Sequence, residues 1–185
     1  RGRIGFLPEN PYVYAYLTPR EFVEMSGRLS GMRGKSLRAR ASEVLSLVGI
    51  GYAADRQVCR LSKGMLQRTG LAAALVADPE MLVLDEPMSG LDPIGRKEVR
   101  DLIVSLREAG KTVFFSTHIL SDVEAITDHV AIIARGQLQA QGTPSELVQK
   151  TILGIDVMIR LAADSEPGEL TTGADRVRRH GDDLS

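Results

Sequence analysis

The chain has 185 residues, 43% hydrophobic and 25% charged, which suits one domain with a short appendage and excludes a chain disordered by composition. A formal net charge of −1 argues against a protein built mainly to hold nucleic acid, and no apolar run approaches the roughly 20 residues that span a bilayer. The single Cys59 excludes an internal disulfide and fits a reducing cytosol; with no base placed beside it, it is expected to serve packing.

Arg1-Gly2-Arg3-Ile4-Gly5-Phe6 reads as the approach to a strand, and residues upstream of Arg1 are expected. Thr18-Pro19-Arg20-Glu21 is a capping box with proline at the first helical position. The helix it opens is expected to turn Phe22, Met25 and Leu29 inward and to end at Gly31 and Gly34. A second helix carries Leu37, Ala41, Val44, Leu45 and Val48 on one face and stops at Gly49. Ser62 can cap a third, with Met65, Ala72, Leu75 and Val76 buried and Pro79 breaking it.

The period then changes. Met81–Leu84 is the short apolar run of a parallel strand covered on both faces. Asp92-Pro93 starts a helix that buries Val99, Leu102, Ile103 and Leu106 and closes at Gly110. Thr112–Ser116 reads as another buried strand, Ser121-Asp122-Val123-Glu124 as a second capping box, and Val130–Ile133 as a third strand. Gly136 turns into Gln137–Gln141, and Thr143-Pro144-Ser145-Glu146 caps a last short helix. Buried strands alternating with helices mean an α/β sheet, and residues 17–78, which lack strand signals, read as a helical subdomain inserted in it. Residues 1–150 form the expected domain. Residues 151–185 are the start of an accessory segment, with Ile152–Leu161 a candidate strand.

Asp85 and Glu86 stand where a buried strand emerges. A carboxylate there can hold Mg²⁺ through its water shell, leaving its neighbour to accept a proton from an attacking water. A helix cap or solvated turn is the structural alternative, and the pair alone fits a helicase as readily as a transport ATPase. In Leu61-Ser62-Lys63-Gly64-Met65-Leu66-Gln67-Arg68, a hydroxyl and backbone N–H groups at a helix N-terminus make an anion site. Gly64 lets that backbone approach a phosphate. An ordinary Ser-capped helix is the alternative. No G-x-x-x-x-G-K-S/T phosphate loop occurs in the 185 residues.

Leu61–Arg68 resembles the signature of ATP-binding cassette (ABC) proteins, L-S-G-G-Q followed by x-Q-R. Leu61, Ser62, Gly64, Gln67 and Arg68 match, while Lys63 and Met65 follow the variant S-K-G-M. Ser89-Gly90-Leu91-Asp92 resembles the D-loop, where Asp92 also suits a helix cap. Ser116-Thr117-His118 resembles the switch loop, with His118 at the γ-phosphate position. Ile4-Gly5-Phe6-Leu7-Pro8-Glu9 resembles the Q-loop, with Glu9 where most members carry Gln. The motifs occur in family order across residues 4–118, the resemblance covers about residues 1–150, and Pro87–Gly136 is most similar to ATPase subunits of bacterial exporter-type ABC transporters.

The resemblance implies a partial RecA-like parallel sheet flanked by helices, and a head-to-tail dimer of ATP-binding subunits, homo- or heterodimeric. Ser62, Lys63 and Gly64 would serve the partner's ATP. Glu9, Asp85, Glu86, Asp92 and His118 would serve the nucleotide sites with ATP and Mg²⁺ as cofactors: Asp85 and Glu9 on the metal, Glu86 and His118 in catalysis. A transmembrane permease subunit would convert closure into transport, placing the protein on the cytoplasmic face of a membrane with no direct nucleic-acid partner. Tyr12, Tyr14 and Tyr16 are the expected permease contact, since an aromatic body buries area while its hydroxyl stays wet. An edge strand packing its own subdomain is the alternative. Without the phosphate loop the 185 residues alone are expected to lack ATPase activity, which the longer parent would have. The competing readings are an ABC ATPase acting on nucleic acid or the ribosome, and a non-enzymatic remnant. The basic stretch Arg28, Arg33, Lys35, Arg38 and Arg40 reads as a solvated helix face, and His129 and His180 carry no assigned role.

Overall fold

The computed structural model of the protein describes residues 3–151. The expected strand at Ile152–Leu161, the accessory segment and His180 therefore lie outside the described residues. β1 (Ile4–Leu7), β2 (Met81–Leu84) and β3 (Thr112–Phe115) form a parallel sheet in the order β1-β2-β3. Leu7 pairs with Leu84 and Leu84 with Phe115, so the three strands end level with one another. This is the expected α/β class.

Between β1 and β2 come three helices, α1 (Pro19–Leu29), α2 (Gly34–Leu47) and α3 (Lys63–Leu75), with two 3-10 turns at Gly51–Ala53 and Val58–Arg60. They fill the region expected to be an inserted helical subdomain. The insertion is not insulated: α3 packs on α1 and α2 and also on β1, and all of Arg1–Leu147 belongs to one compact unit. Both reciprocal bonds of the Thr18–Glu21 capping box are present. The buried face of α1 is Pro19, Val23 and Gly27, not Phe22, Met25 and Leu29; Phe22 and Met25 are half-buried and Leu29 is exposed. Gly27 wins its place because α2 crosses there, so close that an added Cβ would strike Leu37. The predicted face of α2 is buried as expected.

The core is built from Leu7, Val23, Leu37, Leu45, Ile50, Leu71, Leu75, Leu82 and Leu84. It covers one face of the sheet. The other face carries Ile4, Phe6 and Phe114, each about 60% exposed among the described residues, so β3 is not the buried strand expected and β2 is fully buried on one side only. Downstream, α4 (Pro93–Glu108) packs on β3 and buries Val99, Leu102, Ile103 and Leu106. The helix α5 (Leu120–Ile126) has Ile119 as its N-cap with no side-chain cap. The Ser121–Glu124 box is not formed, because the helix starts before Ser121; Thr117 Oγ1 accepts the Ile119 N–H at 3.2 Å. β4 (Val130–Ala134) does not join the parallel sheet; it pairs antiparallel with β5 (Gln137–Gly142). The turn between them, Arg135-Gly136, has both φ values positive (52° and 73°), the twist a two-residue hairpin needs. α6 (Pro144–Thr151) follows the expected Thr143–Glu146 box, with Thr143 N–H on Glu146 Oε2 at 2.9 Å and Glu146 N–H on Thr143 Oγ1 at 3.3 Å. Cys59 is exposed rather than packed, since its 3-10 turn buries the neighbouring Val58.

Candidate nucleotide site

The three parallel strands deliver their functional residues at one edge, the carboxyl ends where ligands bind in open α/β sheets. The ladder runs one step past the strands: Asp85 N–H reaches Leu7 C=O at 2.8 Å and Ser116 N–H reaches Leu84 C=O at 3.0 Å. Asp85, at the end of the central strand, is thereby fixed between the loop after β1 and the loop after β3.

Ser116 organises the pair. Its Oγ donates to Asp85 Oδ1 at 2.6 Å and accepts the Glu86 N–H at 2.9 Å. The short first distance is that of a charge-assisted bond. Glu86 Oε1 lies 2.8 Å from His118 Nδ1, so the candidate base and the candidate switch-loop histidine are in contact. Glu86 is largely shielded while His118 is 76% exposed, which leaves the histidine open to an incoming group. Glu86 also has φ +45°, a left-handed conformation that costs a non-glycine residue about 1–3 kcal/mol. Asp85, Glu86 and His118 are thus brought together. Glu9 comes two residues after β1, beside Asp85 in the strand order, but it is exposed and makes no side-chain bond among the described residues.

The second constellation is at the start of α3. Ser62 Oγ accepts the Met65 N–H at 3.3 Å, so Ser62 is the helix cap, and the first turn contains no acidic residue. Lys63 and Gly64 lie on the Ser89–Asp92 turn. A Cβ on Gly90, whose φ is +72°, would come within 2.7 Å of Lys63 Cδ, and one on Gly64 within 3.0 Å of Leu91 Cδ2. The positive φ favours glycine at Gly90, and a Cβ there would force the Lys63 side chain to shift. Asp92 caps α4 by accepting the Gly95 N–H at 3.0 Å. No hydrogen bond joins Ser62, Lys63 or Gly64 to the Asp85–His118 network among the described residues. The contact between α3 and that network is made farther along the helix by Gln67, whose Nε2 donates to the Glu86 carbonyl at 3.3 Å.

Sequence reasoning did not single out Ser116 or Gln67 for such contacts. Gln67 carried a signal: it stands at i and i+4 with Leu71 on a helix whose neighbouring positions are apolar, and a polar side chain in a buried stripe needs a partner. Tyr12, Tyr14 and Tyr16 form an exposed ladder, with successive ring centroids 5.7 Å apart. In the basic stretch, Arg28 pairs with Glu24, and Arg40 with Glu43 and Asp78, while Arg33, Lys35 and Arg38 are exposed.

Among the described residues no three His, Cys, Asp or Glu side chains gather into a metal cage. One strand-end carboxylate with a second beside it suits a cation that keeps its waters and binds phosphate, as Mg²⁺ does. The residues present fit the metal and water side of such a site, and the 185 residues do not include the lysine-glycine phosphate cradle.

Comparison with known proteins agrees with this geometry. The ABC transporter family model matches residues 1–89. An ABC transporter ATP-binding protein of Nostoc sp. is 51% identical over 148 residues, 79% of this chain and 44% of that protein. The bacitracin transport ATP-binding protein of Bacillus licheniformis is 47% identical over 137 residues, 74% of this chain and 44% of that one. A dimeric ATP-binding cassette in a post-hydrolysis state, bound to ADP and phosphate, superposes with a TM-score of 0.71 at 26% identity, covering 77% of this chain and 63% of that chain. The chain belongs to the ABC transporter family. It spans less than half the length of these two curated relatives.

Proposed function

We propose that this chain supplies the signature and the metal–base half of an ATP-hydrolysing subunit that works with a transmembrane permease, at the cytoplasmic face of a membrane. The observation that carries the reading is the Asp85–Ser116–Glu86–His118 network at the carboxyl ends of three parallel strands. The relative named for bacitracin transport supports transport over nucleic-acid work. An exporter-type system is the finer form of the same proposal.

Bound Mg²⁺ would offset the charge of the nucleotide's phosphates. Asp85, held by Ser116, is the carboxylate suited to that cation, and Glu9 is the second candidate on the neighbouring strand end. Glu86 accepts the proton of the attacking water, and the His118 ring beside it orients the reacting side. Ser62, Lys63 and Gly64 present the N-terminus of α3 to the nucleotide of a second subunit, and the Ser89–Asp92 turn braces them. Tyr12, Tyr14 and Tyr16 are the contact for the permease. Residues 1–150 are the cassette portion and 151–185 an accessory segment.

The test is ATP turnover by a longer protein that contains this chain together with a phosphate loop. Glu86→Gln is expected to lower kcat by about a hundredfold or more while ATP binding is retained, and the 185-residue chain alone is expected to show no sustained Mg-ATP turnover. Full turnover by the Glu86→Gln protein would remove Glu86 from the base role.

A further inference from the structure

Glu86 is one of three non-glycine residues with positive φ among the described residues; the others, Asp78 and Arg135, lie in turns at the end of a helix and of a strand. Its left-handed conformation needs an external cause. Pro87 follows it and disfavours the right-handed helical alternative. Side chains from two other elements hold the peptide groups on either side. On the amide side, Ser116 Oγ accepts its N–H at 2.9 Å. On the carbonyl side, its C=O receives the Ser89 N–H at 2.9 Å and Gln67 Nε2 at 3.3 Å. Gln67 is 2% exposed. A buried amide without partners costs stability, so its presence at this position of α3 is accounted for by the carbonyl it meets.

We propose that Gln67 is a positioning residue for Glu86. From the signature helix it fixes the carbonyl side of the Glu86 turn, as Ser116 fixes the amide side, and so keeps the carboxylate against His118. The inference rests on the reading of Glu86 as base. It also gives α3 a double attachment: its N-terminus, with Ser62, Lys63 and Gly64, faces the partner's nucleotide, and its fifth residue holds the backbone carbonyl of Glu86 in this chain's own site. A displacement at one end of that helix reaches the other site without crossing the subunit boundary again.

Two measurements test it. In the 185-residue chain without nucleotide, Gln67→Met keeps the side-chain volume and removes the donor. Amide exchange at Glu86 and Ser89 is expected to speed up by about tenfold, the loss of one buried hydrogen bond, with the Leu71 and Ala72 amides of α3 unchanged. Unchanged protection at Glu86 and Ser89, or equal loosening along α3, would overturn the proposal. In the longer ATP-hydrolysing protein, Gln67→Met is expected to lower kcat by about tenfold to a hundredfold at unchanged KM for ATP. In a Glu86→Gln background it should cost nothing more, because both changes act through one group. A full additional loss there, or a raised KM with kcat intact, would also overturn it. If Gln67→Met lowers the yield of folded protein, Gln67→Asn, an amide one methylene short, is read in the same way. Should Glu86→Gln leave turnover intact, the base assignment falls, and the exchange measurement still decides whether Gln67 holds the turn.

Discussion

Asp78 stands just past α3 with φ +52°, taking Lys111 Nζ at 2.7 Å and Arg40 Nη2 at 3.4 Å. The Lys111 hydrogen bond first, then the charges of Lys111 and Arg40, hold its carboxyl below the usual value against the opposing effect of burial. A carboxyl depressed in the folded state adds stability above its unfolded pKa and loses it as pH falls through the folded value. Asn tolerates the same left-handed backbone, so Asp78→Asn isolates the charge. The wild-type advantage over Asp78→Asn in urea is expected to be below about 1 kcal/mol near pH 6, since the carboxylate is mostly exposed, and to be lost progressively as pH falls below about 4. A pH-independent difference would assign it to something other than ionisation. Legibility at this scale follows chemistry that is local in sequence. Asp85 and Glu86 stand out because an apolar run precedes them. Ser116 does not, because its two partners lie about thirty positions upstream and a serine ending a strand says nothing of what it faces. The exposure of Cys59 and Leu29 is hidden for a related reason: composition and helical spacing do not show that the 3-10 turn buries Val58 or that α2 crosses α1 at Gly27.

Caps were the most readable elements. Thr18, Ser62, Asp92 and Thr143 each bond the backbone N–H expected of them, since a cap is decided within four residues. The Ser121 box does not form because α5 already begins at Leu120 with Ile119 as N-cap, which places Ser121 inside the first turn rather than at its cap. The apolar run at Val130–Ile133 specifies a strand without naming its partner, and β4 pairs with β5 rather than with the main sheet. The tyrosine ladder belongs at this scale too. Tyr12 meets Tyr14 edge-on and Tyr14 meets Tyr16 at a tilt, yet the outer two rings are mostly exposed, so the rings pack chiefly on each other. In the longer protein, Tyr12→Ser combined with Tyr14→Ser is expected to reduce recovery of the membrane subunit on co-purification at least about tenfold, the loss of a small aromatic hot spot, without changing the melting temperature of the chain. Undiminished recovery would exclude the ladder as the docking surface.

For the molecule as a whole, the sheet packs the core on one face; on the other, among the described residues, Phe6 and Phe114 lie in register on either side of half-buried Val83, with Ile4 two residues back along β1. Purely parallel sheets are covered on both faces, and a contiguous apolar patch of this kind invites association. The purified 185-residue chain is therefore expected to bind an apolar dye such as ANS at neutral pH and to sediment above monomer mass. Phe6→Ser with Phe114→Ser should reduce both, and a dye-free monomer would show that the face is not available. The α/β class and the helical insertion were legible from the change of period at Met81; the exposed face was not, because an apolar strand reads alike whether one side or both are packed. The insertion also sets a clock. β1 pairs with residues 77 positions downstream, Ile4 opposite Met81. At about 5–20 residues per second of synthesis, β1 leaves the ribosome roughly 4–15 seconds before its partner strand exists. During that interval α1, α2 and α3, which need mainly one another, can condense around Val23, Leu37 and Leu45, and β1 docks onto an assembled helical layer rather than nucleating the sheet.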